Sequence, residues 1–325
     1  MYTHFFGLKE KPFEITPDPR FLYLSENHKE ALAHLNYALR ERKGFTVVTG
    51  EVGTGKTMLV HSLLSKLDGN TRTAYIFNPK LEPTDFLHYI CEDFGLKDQR
   101  RSKGQYLTLL HNFLMACYAQ KVNAVLIIDE AQNLDPTLLE EVRLLTNLET
   151  PKSKLLQVIM MGQPELNDIL GRHQFRQLKQ RVSLRYHIKP LSKEDTKEYI
   201  RRRLAKAGAV GTGIFTPKAF DNIYRYTGGI PRLINIVCDN ALLTGYATEQ
   251  RVIGHQIIQE VIDNLEGLDF QRKKRRLVPI VVLIFILLCT GALLVFGSFI
   301  FPGGGGGAEW LNTVKEIIGK VYQGV

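Results

Sequence analysis

Along residues 25–190, short apolar runs alternate with stretches whose apolar positions recur every three or four residues. Ser25 stands as an N-cap before a helix over 26–42, with Ala31, Leu35, Ala38 and Leu39 on one face. Residues 45–49 predict a strand, 58–67 a helix, 73–78 a second strand, and 83–94 and 104–120 two further helices. The unbroken apolar run 124–128 predicts a strand buried on both faces, and 155–161 predicts another. Between them Asp135-Pro136 opens a helix reaching about residue 149, and 182–188 alternates as a last strand. Strands of this kind alternating with helices predict an α/β layer built on a parallel sheet flanked by helices.

The pattern changes at Pro190-Leu191-Ser192. Beyond it only helical periods occur, over 193–207, 217–226, 231–248 and 254–265, which predicts an all-helical lobe. Before the first helix, residues 1–19 have no helical period and place Pro12, Pro17 and Pro19 among Phe5, Phe6, Phe13 and Phe21. Charges and prolines interrupt any leader-like apolar core there, so the segment reads as a wrap over a preformed surface. Residues 277–301 carry no charge. As a helix they reach roughly 37 Å, enough for one transmembrane crossing of a hydrocarbon layer of about 30 Å. Pro302 and the glycines 303–307 break the chain, and Trp310, Leu311, Val314, Ile317, Ile318, Val321 and Tyr322 mark one face of a short amphipathic tail. That tail suits either a lipid surface or a docking partner. The plan is a wrapping segment 1–24, an α/β core 25–190, a helical lobe 191–268, a basic run 269–276, a membrane span 277–301, a linker 302–307 and a tail 308–325.

A chain of 325 residues suits two lobes with appendages. Cys91, Cys117, Cys238 and Cys289 are far apart with no Cys-x-x-Cys pair, which argues against a zinc site or a disulfide framework. The formal charge of +9 draws five units from Arg272-Lys273-Lys274-Arg275-Arg276, so the basic balance is weak evidence for nucleic acid. Abutting an apolar span, the run keeps everything before it on the cytoplasmic side and puts the tail across the membrane.

The chemistry centres on Gly50-Glu51-Val52-Gly53-Thr54-Gly55-Lys56-Thr57, a full match to G-x-x-x-x-G-K-[ST] between a predicted strand and a helix opening at Met58. Such a loop turns its N–H groups and a helix N-terminus toward phosphates. Lys56 then reaches the β- and γ-phosphates of ATP, and the Thr57 hydroxyl sits on Mg2+. Asp129 and Glu130 end the doubly buried strand, where two acids are costly without a cation. Asp129 is the Mg2+-side carboxylate and Glu130 the residue that polarises an attacking water. Gln163 leaves the neighbouring strand, placed to sense the γ-phosphate or hold the water, or else satisfied locally. The basic stretch with Arg176, Lys179, Arg181 and Arg185 reads as a solvated face, a nucleic-acid patch, or a source of an arginine finger, for which Arg181 is the candidate. Gly228-Gly229-Ile230-Pro231-Arg232 opens a helix with Arg232 in its first turn, against the helix dipole, where contact with phosphates would supply a reason.

Taken in order, residues 50–57, 126–130, Gln163, Arg181 and 229–232 resemble the Walker A, Walker B, sensor 1, arginine finger and sensor 2 elements of AAA+ ATPases, in which the helical lobe is a lid. The strings Phe5-Phe6-Gly7-Leu8, Pro12-Phe13, Thr16-Pro17-Asp18-Pro19, Asp129-Glu130-Ala131-Gln132 and Gly162-Gln163-Pro164-Glu165-Leu166 resemble the general secretion pathway protein A family of type II secretion. The resemblance covers roughly residues 1–270 and implies an oligomeric, single-pass ATPase of the bacterial inner membrane with a periplasmic tail. It also implies a second inner-membrane partner, of general secretion pathway protein B type, and assembly or transport of the outer-membrane secretin. Relatives often continue into a large peptidoglycan-binding part, and that function is not expected to carry over to this chain. Two other readings stand beside it: a DNA-linked AAA+ ATPase of transposition or initiator type, suggested by twelve Lys/Arg against three acids over 172–206, and a scaffold set by ATP binding with little turnover.

Overall fold

Val125 and Ile127 turn to one face of a sheet and Leu126 and Ile128 to the other, and all four are fully buried, because helices cover both faces. The structure is a computed structural model, which describes residues 1–16, 18–77, 79, 81–96, 102–151, 153–211 and 213–267. Its first elements are α1 (Tyr2–Phe5), α2 (Glu26–Arg40), β1 (Phe45–Gly50), α3 (Lys56–Leu64) and β2 (Thr71–Ile76). Helices α4 (Pro83–Asp93) and α5 (Lys103–Ala119) lead to β3 (Asn123–Ile128) and α6 (Pro136–Leu145). A two-residue hairpin, β4 (Glu149–Thr150) and β5 (Ser153–Lys154), precedes β6 (Gln157–Gly162), α7 (Glu165–Gly171), α8 (Arg176–Arg181) and β7 (Leu184–Ile188).

The main sheet runs β2-β3-β6-β1-β7 and is parallel throughout. On one face α2 and α3 pack Leu32, Leu35, Leu59 and Leu63 against Val48, Val125 and Ile159. On the other, α4, α5 and α6 pack Phe86, Leu110 and Leu138 against Val47, Leu126 and Met160. Register matches Thr49 with both Gly162 and His187, and Ile128 with Met160. The carboxyl ends of β1, β3 and β6 therefore share one edge of the sheet.

Helices α9 (Lys193–Lys206), α10 (Pro217–Thr227) and α11 (Pro231–Ala247) follow and pack against one another, with Ile200, Leu204, Ile223 and Val237 buried. Residues 1–261 cluster as one compact unit, so these helices lie within the same unit as the sheet. The amino-terminal segment lies on them. Lys9 N–H donates to the Ala207 carbonyl at 2.7 Å, Tyr2 hydroxyl bonds the Asp239 carboxylate, and Phe13 is buried edge-on to Phe215.

Gly229 joins the two parts. Its carbonyl accepts from Leu191 N–H at 2.9 Å, its φ is +79°, and a Cβ there would stand 2.0 Å from the Leu191 carbonyl oxygen. Both the left-handed backbone and the backbone clash oppose any side chain. Gly229→Ala is expected to cost about 2–4 kcal/mol in unfolding free energy, read by denaturant titration. An unchanged midpoint would contradict this close approach.

One expectation is corrected. Among the described residues no helix is long and apolar enough to cross a membrane. The longest elements given, α5 and α11, have 17 residues each and carry polar faces, short of the roughly 20 apolar residues a span needs. The single-pass inner-membrane placement is not upheld. The stretch on which it rested, 277–301, lies outside the described residues, as do the basic run, the linker, the tail and Cys289. The other three cysteines are buried.

Candidate functional site

The loop after β1 closes on itself because glycine stands where a side chain cannot. A Cβ on Gly50 would meet Thr54 Oγ1 at 2.9 Å and the Ile188 carbonyl at 3.1 Å, while Gly53 and Gly55 have φ of +82° and +96°. Thr54, fully buried, ties the turn by donating from its hydroxyl to the Glu51 carbonyl at 2.8 Å. Gly55 caps α3 without a side-chain bond, leaving the first N–H groups of that helix facing the loop's hollow. Glu51 and Val52 form the exposed rim, and Met58 lines the cavity from the first turn of α3.

Lys56 is 95% buried, and its ammonium donates to the Gly50 and Glu51 carbonyls at 2.8 and 3.0 Å. Burial pushes its proton affinity down, and the charges of Glu130, Asp129, Glu51 and Glu165 oppose that shift. Thr57 Oγ1 donates to Asp129 Oδ2 at 2.8 Å. Two oxygens typical of a magnesium site thus stand side by side beneath the loop.

Asp129 is buried, and its carboxylate takes two more bonds. Tyr75 hydroxyl donates to Oδ2 at 3.1 Å, and Glu130 N–H donates to Oδ1 at 2.9 Å. Burial, with Asp129 beside it, holds the Tyr75 phenol protonated well above its ordinary range. Glu130 adopts a left-handed backbone, φ 51° and ψ 37°, rare for a residue with a side chain and common at reactive sites. Its Oε2 accepts from Gln132 Nε2 at 2.6 Å and from Gln163 Nε2 at 3.4 Å. Gln163 is therefore brought to the acidic pair.

Arg232 comes from α11. Its N–H donates to the Gly53 carbonyl at 3.3 Å, and its Cβ lies 2.6 Å from where a Cβ on Gly53 would stand. A cavity of about 510 Å3 opens here, lined by loop residues 52–58 and Glu130 on one side and by Leu191, Tyr199, Pro231 and Asn235 on the other. That is the size of a small-molecule site. His28 supports the loop from α2: Nε2 donates to the Thr54 carbonyl at 2.9 Å, so Nδ1 of the neutral ring accepts from Ser25 at 2.7 Å. Burial favours that neutral form.

Arg181 is not part of this cavity. It ends α8 at the opposite edge of the sheet and donates to the Thr146 carbonyl at 3.2 Å. Much of the basic stretch around it has intramolecular partners. Arg202 pairs with Glu198, Lys193 with Asp221, and Arg203 is buried between Phe21 and Tyr199, donating to the Pro12 and Glu14 carbonyls. Tyr75, Gln132 and His28 were not singled out as site residues from the sequence. Of the three, only Gln132 sits inside a recognised string.

Comparison with known proteins bears on the family and the fold. Residues 39–170 match the model of the AAA domain. Over 269 residues the chain is 48% identical to general secretion pathway protein A of Aeromonas hydrophila, covering 82% of this chain and 49% of that protein. The chain thus spans about half the length of that relative. Among solved structures it resembles the ORC2 protein of Aeropyrum pernix in ADPNP–ADP complexes, with TM-score 0.58, 17% identity, and 78% of this chain and 71% of that chain covered. It also resembles Drosophila ORC bound to DNA, with TM-score 0.61, 19% identity, and 78% and 64% covered. At such identities these two likenesses concern the fold alone.

Proposed function

We propose, from the premise that this chain is an AAA+ ATPase related to general secretion pathway protein A, that it hydrolyses ATP with Mg2+ and uses the cycle to assemble or transport the secretin of a type II secretion apparatus. The observation that carries the catalytic part is the Thr57 hydroxyl 2.8 Å from the Asp129 carboxylate, beneath a loop that only glycine can close. Thr57 and Asp129 are the residues that hold Mg2+, whose charge, when bound, offsets that of the β- and γ-phosphates. Lys56 exchanges its loop carbonyls for phosphate oxygens. Glu130 receives the proton as the oxygen of water bonds to the γ-phosphorus and the bond to the β–γ bridging oxygen breaks, giving ADP and phosphate.

Gln163 orients Glu130 from the adjacent strand. Arg232 reaches the phosphates from the helical segment, which acts as a lid hinged near Leu191 and Gly229. Arg181 serves a neighbouring copy, so the working form is a homo-oligomer. The secretion role is supported by the 48% identity to a protein named for that pathway, and a second secretion-pathway protein of general secretion pathway protein B type is the partner it implies. In cells, Lys56→Ala is expected to abolish assembly of the secretin multimer. Multimer at the wild-type level in that strain would remove the secretion role.

A further inference from the structure

Glu130 is held by one oxygen only. Both amide donors, Gln132 Nε2 at 2.6 Å and Gln163 Nε2 at 3.4 Å, bond Oε2, and Oε1 takes no hydrogen bond among the described residues. Gln132 is fixed at its other end as well. Its Oε1 accepts from Gln163 N–H at 3.0 Å and lies 2.8 Å from where a Cβ on Gly162 would stand, so β6 ends in glycine where this amide crosses it. The short turn Ala131–Asn133 holds the backbone, with Ala131 fully buried and Asn133 N–H donating to the Glu130 carbonyl at 2.9 Å.

A glutamate's terminal torsion is soft and roughly two-fold, so an unrestrained carboxylate presents either oxygen over a wide arc. An amide with a donor at one end and an acceptor at the other removes that freedom, and its acceptor end must meet a donor that does not move. Here that donor is the backbone of Gln163, at the end of a fully buried central strand.

We propose that Gln132 is a positioning residue: a two-ended amide that commits Glu130 Oε2 to the protein, leaves Oε1 for the attacking water, and ties this orientation to the end of β6. The proposal rests on the ATPase reading above. Gln132 touches no reacting atom and acts through Glu130. Its removal therefore changes turnover and leaves nucleotide affinity alone.

The test uses the full chain as wild type, Gln132→Leu and Gln132→Glu, each alone and combined with Glu130→Gln. Phosphate release gives kcat and KM, and a fluorescent ATP analogue gives Kd. Both single variants are expected to lose about 10- to 100-fold in kcat, the scale of a misplaced catalytic group. Their Kd should stay within about twofold of wild type, because the phosphate loop is untouched. On the Glu130→Gln background the same changes should alter the residual rate by less than about twofold, since the group they position is already gone. Gln132→Glu keeps the shape and removes the donor, so it carries the test if the leucine variant does not fold. Unchanged kcat in both variants of a chain that turns over overturns the clamp and leaves the ATPase reading intact. So does a full further loss on the Glu130→Gln background. Absence of phosphate release from wild type overturns both.

Discussion

Lys56→Ala is expected to abolish ATP binding, lowering affinity by about 100-fold or more, while Glu130→Gln binds ATP as wild type does. The lysine is buried beneath the loop, and its ammonium already donates inward twice, to the Gly50 and Glu51 carbonyls. Hydrogen bonds from a charged donor contribute about 1.5–3 kcal/mol each, so losing two to phosphate oxygens corresponds to roughly two to four powers of ten. Glu130 touches neither loop carbonyls nor Thr57. Its bonds run to Gln132 and Gln163, and replacing the acid by its amide leaves the cavity's shape as it is. Calorimetric titration with ATP and Mg2+ separates the two variants. Wild-type affinity in Lys56→Ala would contradict the assignment of the loop.

Arg181→Ala is expected to lower kcat by about 10³-fold, the low end for loss of an arginine finger. The reason is topological. β7 lies parallel to β1 with Leu184 level with Thr46 and Ile188 level with Gly50, so Arg181, ahead of β7, lies toward the foot of β1, whose top carries the loop. At about 3.3 Å per residue the two ends lie roughly 15–20 Å apart, and Arg181 cannot reach its own phosphates. A mixture of inactive Arg181→Ala and inactive Lys56→Ala chains should therefore recover part of the rate, because some interfaces pair an intact loop with an intact arginine. Full activity of Arg181→Ala alone would exclude both the finger and the need for a neighbour.

What the sequence shows and what it hides follow from where each signal resides. β1, β3 and β6 are legible because strands covered on both faces are mostly apolar, with Thr46, Thr49 and Gln157 as buried polar exceptions. β2 begins two residues before its apolar pattern, at Thr71 and Arg72, since an edge strand leaves those side chains partly exposed. α1, α8 and the β4–β5 hairpin have four, six and two-plus-two residues, fewer than a period needs to declare itself. Lys56, Thr57, Asp129 and Glu130 are readable because each lies in a contiguous string whose backbone does the work. Tyr75 reaches Asp129 across 54 residues and His28 reaches Thr54 across 26, and no local pattern encodes those contacts. The basic stretch misleads for a related reason: Arg203 is an interior cation, stacked on aromatic rings and capped by carbonyls of the amino-terminal segment.

The activity proposed for this site is turnover of ATP and not its binding alone. The direct measurement is phosphate release from γ-labelled ATP by the full chain, run with Mg2+, with EDTA, and with Glu130→Gln in place of wild type. Wild type is expected to release phosphate only with Mg2+, and Glu130→Gln to fall by about 10²- to 10⁴-fold, the range general-base catalysis contributes. Equal release by wild type and Glu130→Gln, or release that EDTA leaves unchanged, would contradict it.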